Sequence, residues 1–114
     1  MNVFGTIKQR VTRGIELLDR VRPSWDKSLD LEELNLGSSE FCVLGQVYGK
    51  DAIKEGEWAI SDGFDLGRTR LFRRVRTESN DIEDFSMEFG FDQPHSNYDK
   101  IGREWKRQIK ARRN

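Results

Sequence analysis

The sequence is poor in the residues that most site chemistry needs. It holds one cysteine, one histidine and two prolines. Cys42 stands alone and cannot close an internal disulfide, which points to a reducing, cytoplasmic setting. Structural zinc takes about four Cys or His ligands, so a metal site of that kind cannot be assembled, and no residue pattern implies a cofactor. No apolar run approaches the roughly 18–20 residues of a membrane span. No charged n-region, apolar stretch and cleavage site open the chain, so a secretory signal is not expected. The nucleophile elbow Gly-x-Ser-x-Gly, the Walker-type phosphate loop and the dinucleotide fingerprint Gly-x-Gly-x-x-Gly are all missing.

What the chain has is charge. Its 114 residues include 20 Lys or Arg and 20 Asp or Glu, for a formal net charge of zero. The length suits a single domain over 1–114. The charge is strongly blocked. Residues 1–28 are net +3, 29–65 net −7, 66–76 net +5, 77–92 net −6 and 98–114 net +5. Such alternation either brings the blocks face to face in the fold or leaves separate acidic and basic surfaces.

Hydrophobic spacing predicts helices. Val3, Ile7, Val11, Ile15, Leu18 and Val21 recur at steps of three and four, with Lys8, Arg10, Arg13, Glu16 and Arg20 largely off the stripe. Arg22-Pro23 stops this helix, because proline disfavours helical geometry in the residue before it. Residues 24–37 read as a loop with apolar anchors. Ser38 or Ser39 can cap a second, central helix carrying Phe41, Val43, Leu44, Val47 and Tyr48, with Gly49 as its stop. The loop Thr77-Glu78-Ser79-Asn80-Asp81 can cap a further helix over Ile82–Phe89 that Gly90 ends. Tyr98, Ile101, Trp105 and Ile109 form the apolar stripe of the last helix, with fraying expected over 110–114.

Residues 50–80 are ambiguous. Glu57–Ser61 alternates weakly, and Leu71–Val75 can return as its partner strand, while a helical reading of 68–76 competes equally. The expected fold is therefore mainly α, with three to four short helices and a two-stranded β element in 56–76 left open. The expected core is Val11, Ile15, Leu18, Trp25, Leu31, Leu34, Phe41, Leu44, Val47, Tyr48, Phe91, Ile101, Trp105 and Ile109.

The segments Leu17-Leu18-Asp19, Pro23, Trp25, Leu29-Asp30-Leu31, Cys42-Val43-Leu44-Gly45-Gln46 and Tyr48-Gly49 resemble a family of small proteins of actinobacterial phages and prophages. Gly90-Phe91-Asp92 and Trp105 extend the resemblance, which covers residues 14–49 and, loosely, 86–109. It implies a bacterial or phage cytoplasmic setting. The family has no established activity, so no functional residue is carried over.

Few residues suit catalysis. Cys42 and His95 are the one Cys–His combination. The apolar run Phe41-Cys42-Val43-Leu44 raises a thiol's pKa and suits a packing residue rather than a nucleophile, and His95 beside Pro94 reads as a turn residue. Asn80, Asp81, Glu83 and Asp84 offer oxygen ligands without the order of a calcium loop, and acids at a helix start are favoured by its dipole.

Binding is the better-supported class. Arg68, Arg70, Arg73, Arg74 and Arg76 fall within nine residues, with Phe72 between them. Arg103, Lys106, Arg107 and Lys110 make a basic face on the last helix. Should Arg70, Arg73 and Arg74 lie beside that face, the two form a phosphate-binding stripe for nucleic acid. Should the run pair with the acids of 77–92, a protein partner is the better reading, with Trp58 as the best exposed aromatic contact. The expected function is thus a non-catalytic binding protein that engages a host or phage protein by occlusion or recruitment. A nucleic-acid-binding accessory protein is the alternative and an enzyme the third reading. Segregated charge also allows pairing between copies of the chain.

Overall fold

The computed structural model describes residues 4–54, 62–75, 79–93 and 98–113. Within them the chain forms α1 (Ile7–Val21), a 3-10 turn (Trp25–Ser28), α2 (Val43–Lys54), α3 (Gly63–Arg74), α4 (Ile82–Glu88) and α5 (Asp99–Arg113). The class is α, with five helices where three to four were expected. The described residues contain no strand. Leu71–Val75, weighed as a return strand, instead belongs to α3 up to Arg74. The reason is spacing: Gly63, Leu66, Gly67 and Leu71 are buried, and those steps of three and four make one helical stripe. Residues 55–61, the other half of the supposed hairpin, lie outside the described residues.

The start of α1 is fixed by a capping box. Thr6 Oγ1 accepts from the Gln9 N–H at 3.1 Å, and Gln9 Oε1 accepts from the Thr6 N–H at 2.9 Å, satisfying two N–H groups that the first turn leaves free. Before α2, Ser38 Oγ accepts from the Phe41 N–H at 3.1 Å, so the serine caps the turn that leads into the helix.

Gly49 does not stop α2, which continues to Lys54. Its place is explained by α3. A Cβ on Gly63 would stand 2.8 Å from both the Gly45 carbonyl oxygen and the Gly49 nitrogen. Gly63 therefore lets the α3 backbone approach that of α2 as a side chain would not, and Gly67 makes room one turn on for the Tyr48 ring, 2.6 Å from where its Cβ would stand. This contact fixes how the C-terminal half of α3 meets Tyr48 and Asp51 on α2.

The end of α4 is a Schellman motif. Gly90 has φ +75°, the Phe91 N–H donates to the Ser86 carbonyl at 2.8 Å, and the Gly90 N–H to the Met87 carbonyl at 3.2 Å. Phe91 then folds back toward Phe85, ring centroids 6.4 Å apart. Arg10, expected on the polar side of α1, is buried here: its guanidinium donates to Gln93 Oε1 at 2.6 Å and to the Met87 carbonyl at 3.5 Å. Arg13 donates to the Glu88 carbonyl at 2.6 Å. Two guanidiniums thus sit at the negative end of the α4 dipole.

An aromatic cluster joins the ends of the chain. Trp105 packs edge-on to Trp25 at 6.0 Å, stacks on Phe91 at 5.7 Å, and donates its indole N–H to the Gly90 carbonyl at 2.7 Å. The core holds the expected residues with two corrections: Phe41 is 38% exposed, and Leu31 is only half-buried. Phe41 lies in the turn ahead of α2, where no helical face turns it inward. Phe85, Phe89, Leu66 and Leu71 belong to the core in addition.

α5 is helical through Arg113. Arg112 donates to both Asp19 carboxylate oxygens, at 2.8 and 3.2 Å, and lies 5.5 Å over the Trp25 ring. Arg113 donates to the Leu29 carbonyl at 2.9 Å. These contacts tie the last turn to α1 and to the 3-10 turn.

Candidate functional site

The arginine run and the basic face of α5 come to different places. The C-terminal turns of α1 and α3 together form a cleft of about 350 Å³, walled by Arg22, Arg70, Arg73 and Arg74 over Val21 and Tyr48. It adjoins a second cleft of about 410 Å³ between Arg20, Val21, Arg74 and Val75. Arg70, Arg73 and Arg74 stand at i, i+3 and i+4, so one face of α3 carries all three.

Among the described residues, Asp51 is the carboxylate that reaches this cluster, and it is already engaged. Asp51 on α2 accepts from Arg22 at 2.7 and 3.3 Å and from Arg70 at 3.4 Å. The hydrogen bonds from Arg22, offset in part by burial, hold the Asp51 carboxyl below its usual range. Arg22 also lies 4.5 Å over the Tyr48 ring, a cation–π contact that fixes the guanidinium as a wall of the cleft. Burial pushes the Tyr48 phenol up, keeping it neutral. Arg20, Arg73 and Arg74 are exposed, and none makes an ion pair with a described residue.

The pairing expected between the run and the acids of 77–92 is confined, among the described residues, to Arg68, which reaches Glu83 at 3.8 Å and Asp65 at 3.0 Å. Arg70 also reaches Asp51 on α2. Arg76, Trp58 and His95 lie outside the described residues.

The basic residues of α5 look onto acids. Arg103 and Lys106 share a cleft with Glu32, Glu33 and Asp99. Lys106 and Lys110 share another, of about 790 Å³, with Lys27, Asp30 and Glu32. Arg107 pairs with Glu104 one turn back. The acidic loop 30–33 therefore stands opposite this face and offsets its field. None of these four clefts is lined by both Arg70, Arg73 or Arg74 and the α5 cations.

Arg20, Arg22, Tyr48 and Asp51 were not among the expected site residues. Arg20-Val21-Arg22 was legible as a basic helix end, but nothing local says that α3 ends beside it. Cys42 is buried, as expected, and burial pushes its thiol up to about 11. Asp81 serves as the cap of α4, accepting from the Asp84 N–H at 2.8 Å. Among the described residues no group of three His, Cys, Asp or Glu side chains is arranged to hold a metal ion, and no helix is long and apolar enough to cross a membrane.

Comparison of the chain with protein-family models, with curated proteins and with solved structures finds no match in any of the three.

Proposed function

We propose that the chain is a non-catalytic binding protein that engages a protein partner, by covering a surface of it or recruiting it. The observation that supports this reading is the separation of the two basic regions. One is offset by the acidic loop 30–33; the other is a compact cleft rather than a track. A nucleic-acid backbone is best met by cations along a continuous path, whereas a short cleft with guanidinium walls and an apolar floor suits a few side chains of a protein. Arginine is also among the residue types that dominate protein interfaces. The resemblance to phage proteins suggests a bacterial host or phage partner, and with it a cytoplasmic setting.

Binding to duplex DNA and single-stranded RNA, titrated by anisotropy at two salt concentrations, tests the reading. Weak or absent binding at about 150 mM salt is expected. If Arg20, Arg73 and Arg74 each met a phosphate of duplex DNA, log affinity would fall against log salt with a slope of about −2.7, at −0.9 per contact. Sub-micromolar affinity with that slope replaces the protein-binding reading by the nucleic-acid one.

A further inference from the structure

The cleft between the ends of α1 and α3 concentrates positive charge beyond what the described residues around it offset. Five guanidiniums, those of Arg20, Arg22, Arg70, Arg73 and Arg74, line the two adjoining hollows. Asp51 is shared by two of them. Helix-end arginines are favoured by the dipole of their own helix, which accounts for Arg20 and for Arg73 and Arg74 separately. It does not account for two helix ends converging with three guanidiniums that make no ion pair with a described residue. Like charges gathered this way repel one another, and an anionic guest relieves that repulsion.

The shape narrows the guest. The hollows share Val21 and Arg74 and so run into one another, giving a short groove, confined to the ends of α1 and α3, that is larger than one inorganic anion would fill. Its floor is apolar: the half-buried Val21 and Val75 and the edge of Tyr48. Tyr48 is almost wholly buried, and its ring is covered by Arg22, so it offers no face on which a base could stack. Carboxylates on a linear segment, spaced around one apolar side chain, match both the walls and the floor.

We propose that this groove docks an acidic linear segment of a partner protein. Arg20, Arg73 and Arg74 meet its carboxylates, and Val21 and Val75 receive an apolar side chain between them. Arg22 and Arg70, held by Asp51, form the fixed part of the wall. The inference rests on the protein-binding reading above and adds the place and the chemistry.

The test uses the full chain and three labelled probes of equal length: a dodecapeptide with four Asp or Glu flanking one Leu, the same peptide with Asn and Gln in place of the acids, and a single-stranded oligonucleotide. Anisotropy is read at about 150 mM salt. The acidic peptide is expected to bind and the neutral one not to. The triple variant Arg20→Ala, Arg73→Ala, Arg74→Ala is expected to weaken acidic-peptide binding about tenfold or more, the equivalent of roughly one charge-assisted hydrogen bond. The variant Lys106→Ala, Lys110→Ala is expected to leave it within about twofold, since rim charges away from the contact matter little. Arg20, Arg73, Arg74 and Lys110 are exposed and Lys106 is half-buried, and circular dichroism checks that both variants fold. No binding of the acidic peptide overturns the inference. So does binding that the triple variant leaves intact, though a protein-binding role then survives elsewhere on the surface. Oligonucleotide binding as tight as the peptide's, lost in the triple variant, overturns both the inference and the reading beneath it.

Discussion

The arginine cleft and the basic face of α5 carry similar charge in the sequence and opposite circumstances in the fold. On α5, Arg107 has Glu104 one turn away, Arg112 has Asp19 and Asp26, and Arg103, Lys106 and Lys110 look across at Asp30, Glu32 and Glu33. In the cleft, Asp51 serves Arg22 and Arg70, and Arg20, Arg73 and Arg74 make no ion pair with a described residue. Two blocks of similar charge thus differ in how far the described residues around them offset it, and counting their cations does not reveal that.

The strongest way to break the comparison is to release α5. Trp105 is fully buried between Trp25 and Phe91 and hydrogen-bonds the Gly90 carbonyl. Trp105→Ala should cost about 3–5 kcal/mol through the cavity and the orphaned carbonyl. Against a domain stability of about 5–15 kcal/mol, a denaturant titration should find the variant marginal. A midpoint unchanged from wild type would mean that the indole does not anchor the helix.

Gly63→Ala acts on the cleft's foundation. Its Cβ would meet backbone atoms of Gly45 and Gly49 at 2.8 Å, so α2 and α3 must separate. The expected loss is about 1–3 kcal/mol, with weaker acidic-peptide binding as Tyr48 and Asp51 shift against Arg70. Thermal melts and the anisotropy assay together check this; an alanine tolerated in both shows that the helices are not in close contact there.

Asp51→Asn sharpens the comparison at smaller cost. The carboxylate is partly exposed, so its loss should change stability by no more than about 1 kcal/mol. Because the folded-state pKa of Asp51 is depressed, its stabilising effect is present above the unfolded value near 3.9 and is lost as pH falls through the folded value. Wild type should therefore exceed Asp51→Asn in stability at pH 7, and the gap should close on acidification below about pH 4. Paired melts across that range measure it. A gap that persists at low pH would assign the effect to shape rather than charge.

The smallest effect concerns Cys42 at the start of α2. With its thiol buried and its pKa raised to about 11, labelling by a thiol reagent at pH 8 should be slow. It should be unchanged in Lys106→Ala, Lys110→Ala and faster in Gly63→Ala, which loosens α2. The raised pKa also stabilises the fold below the unfolded thiol's value of about 8.5, a contribution lost as pH rises toward 11. Fast labelling of wild type would contradict the packing role.

Much of the fold could be read along the chain. The α1 stripe, the stop at Arg22-Pro23, the helix ended by Gly90, and the Tyr98–Trp105–Ile109 face all rest on neighbours within four residues, which is where helical periodicity and capping act. The ambiguous stretch could not be read, because Leu71-Phe72-Arg73-Arg74-Val75 suits a strand or a helix until α2 stands beside it. Gly49 does not stop α2 because Gly63 of α3 packs on its backbone there, a contact between segments that nothing local announces.

For this protein the sequence by itself determined the helical class, the buried tryptophans Trp25 and Trp105, the buried thiol, and the amount of charge in each block. Only the tertiary structure decided which block faces which. Helix formation depends on residues a few positions apart, so it is written locally. The pairing of Asp51 with Arg22 and Arg70, the opposition of loop 30–33 to α5, and the convergence of the α1 and α3 ends on one cleft depend on distances between segments far apart in the chain. Those distances are set by where backbones can touch, as at Gly45 and Gly63, and by how the aromatic cluster fills the core.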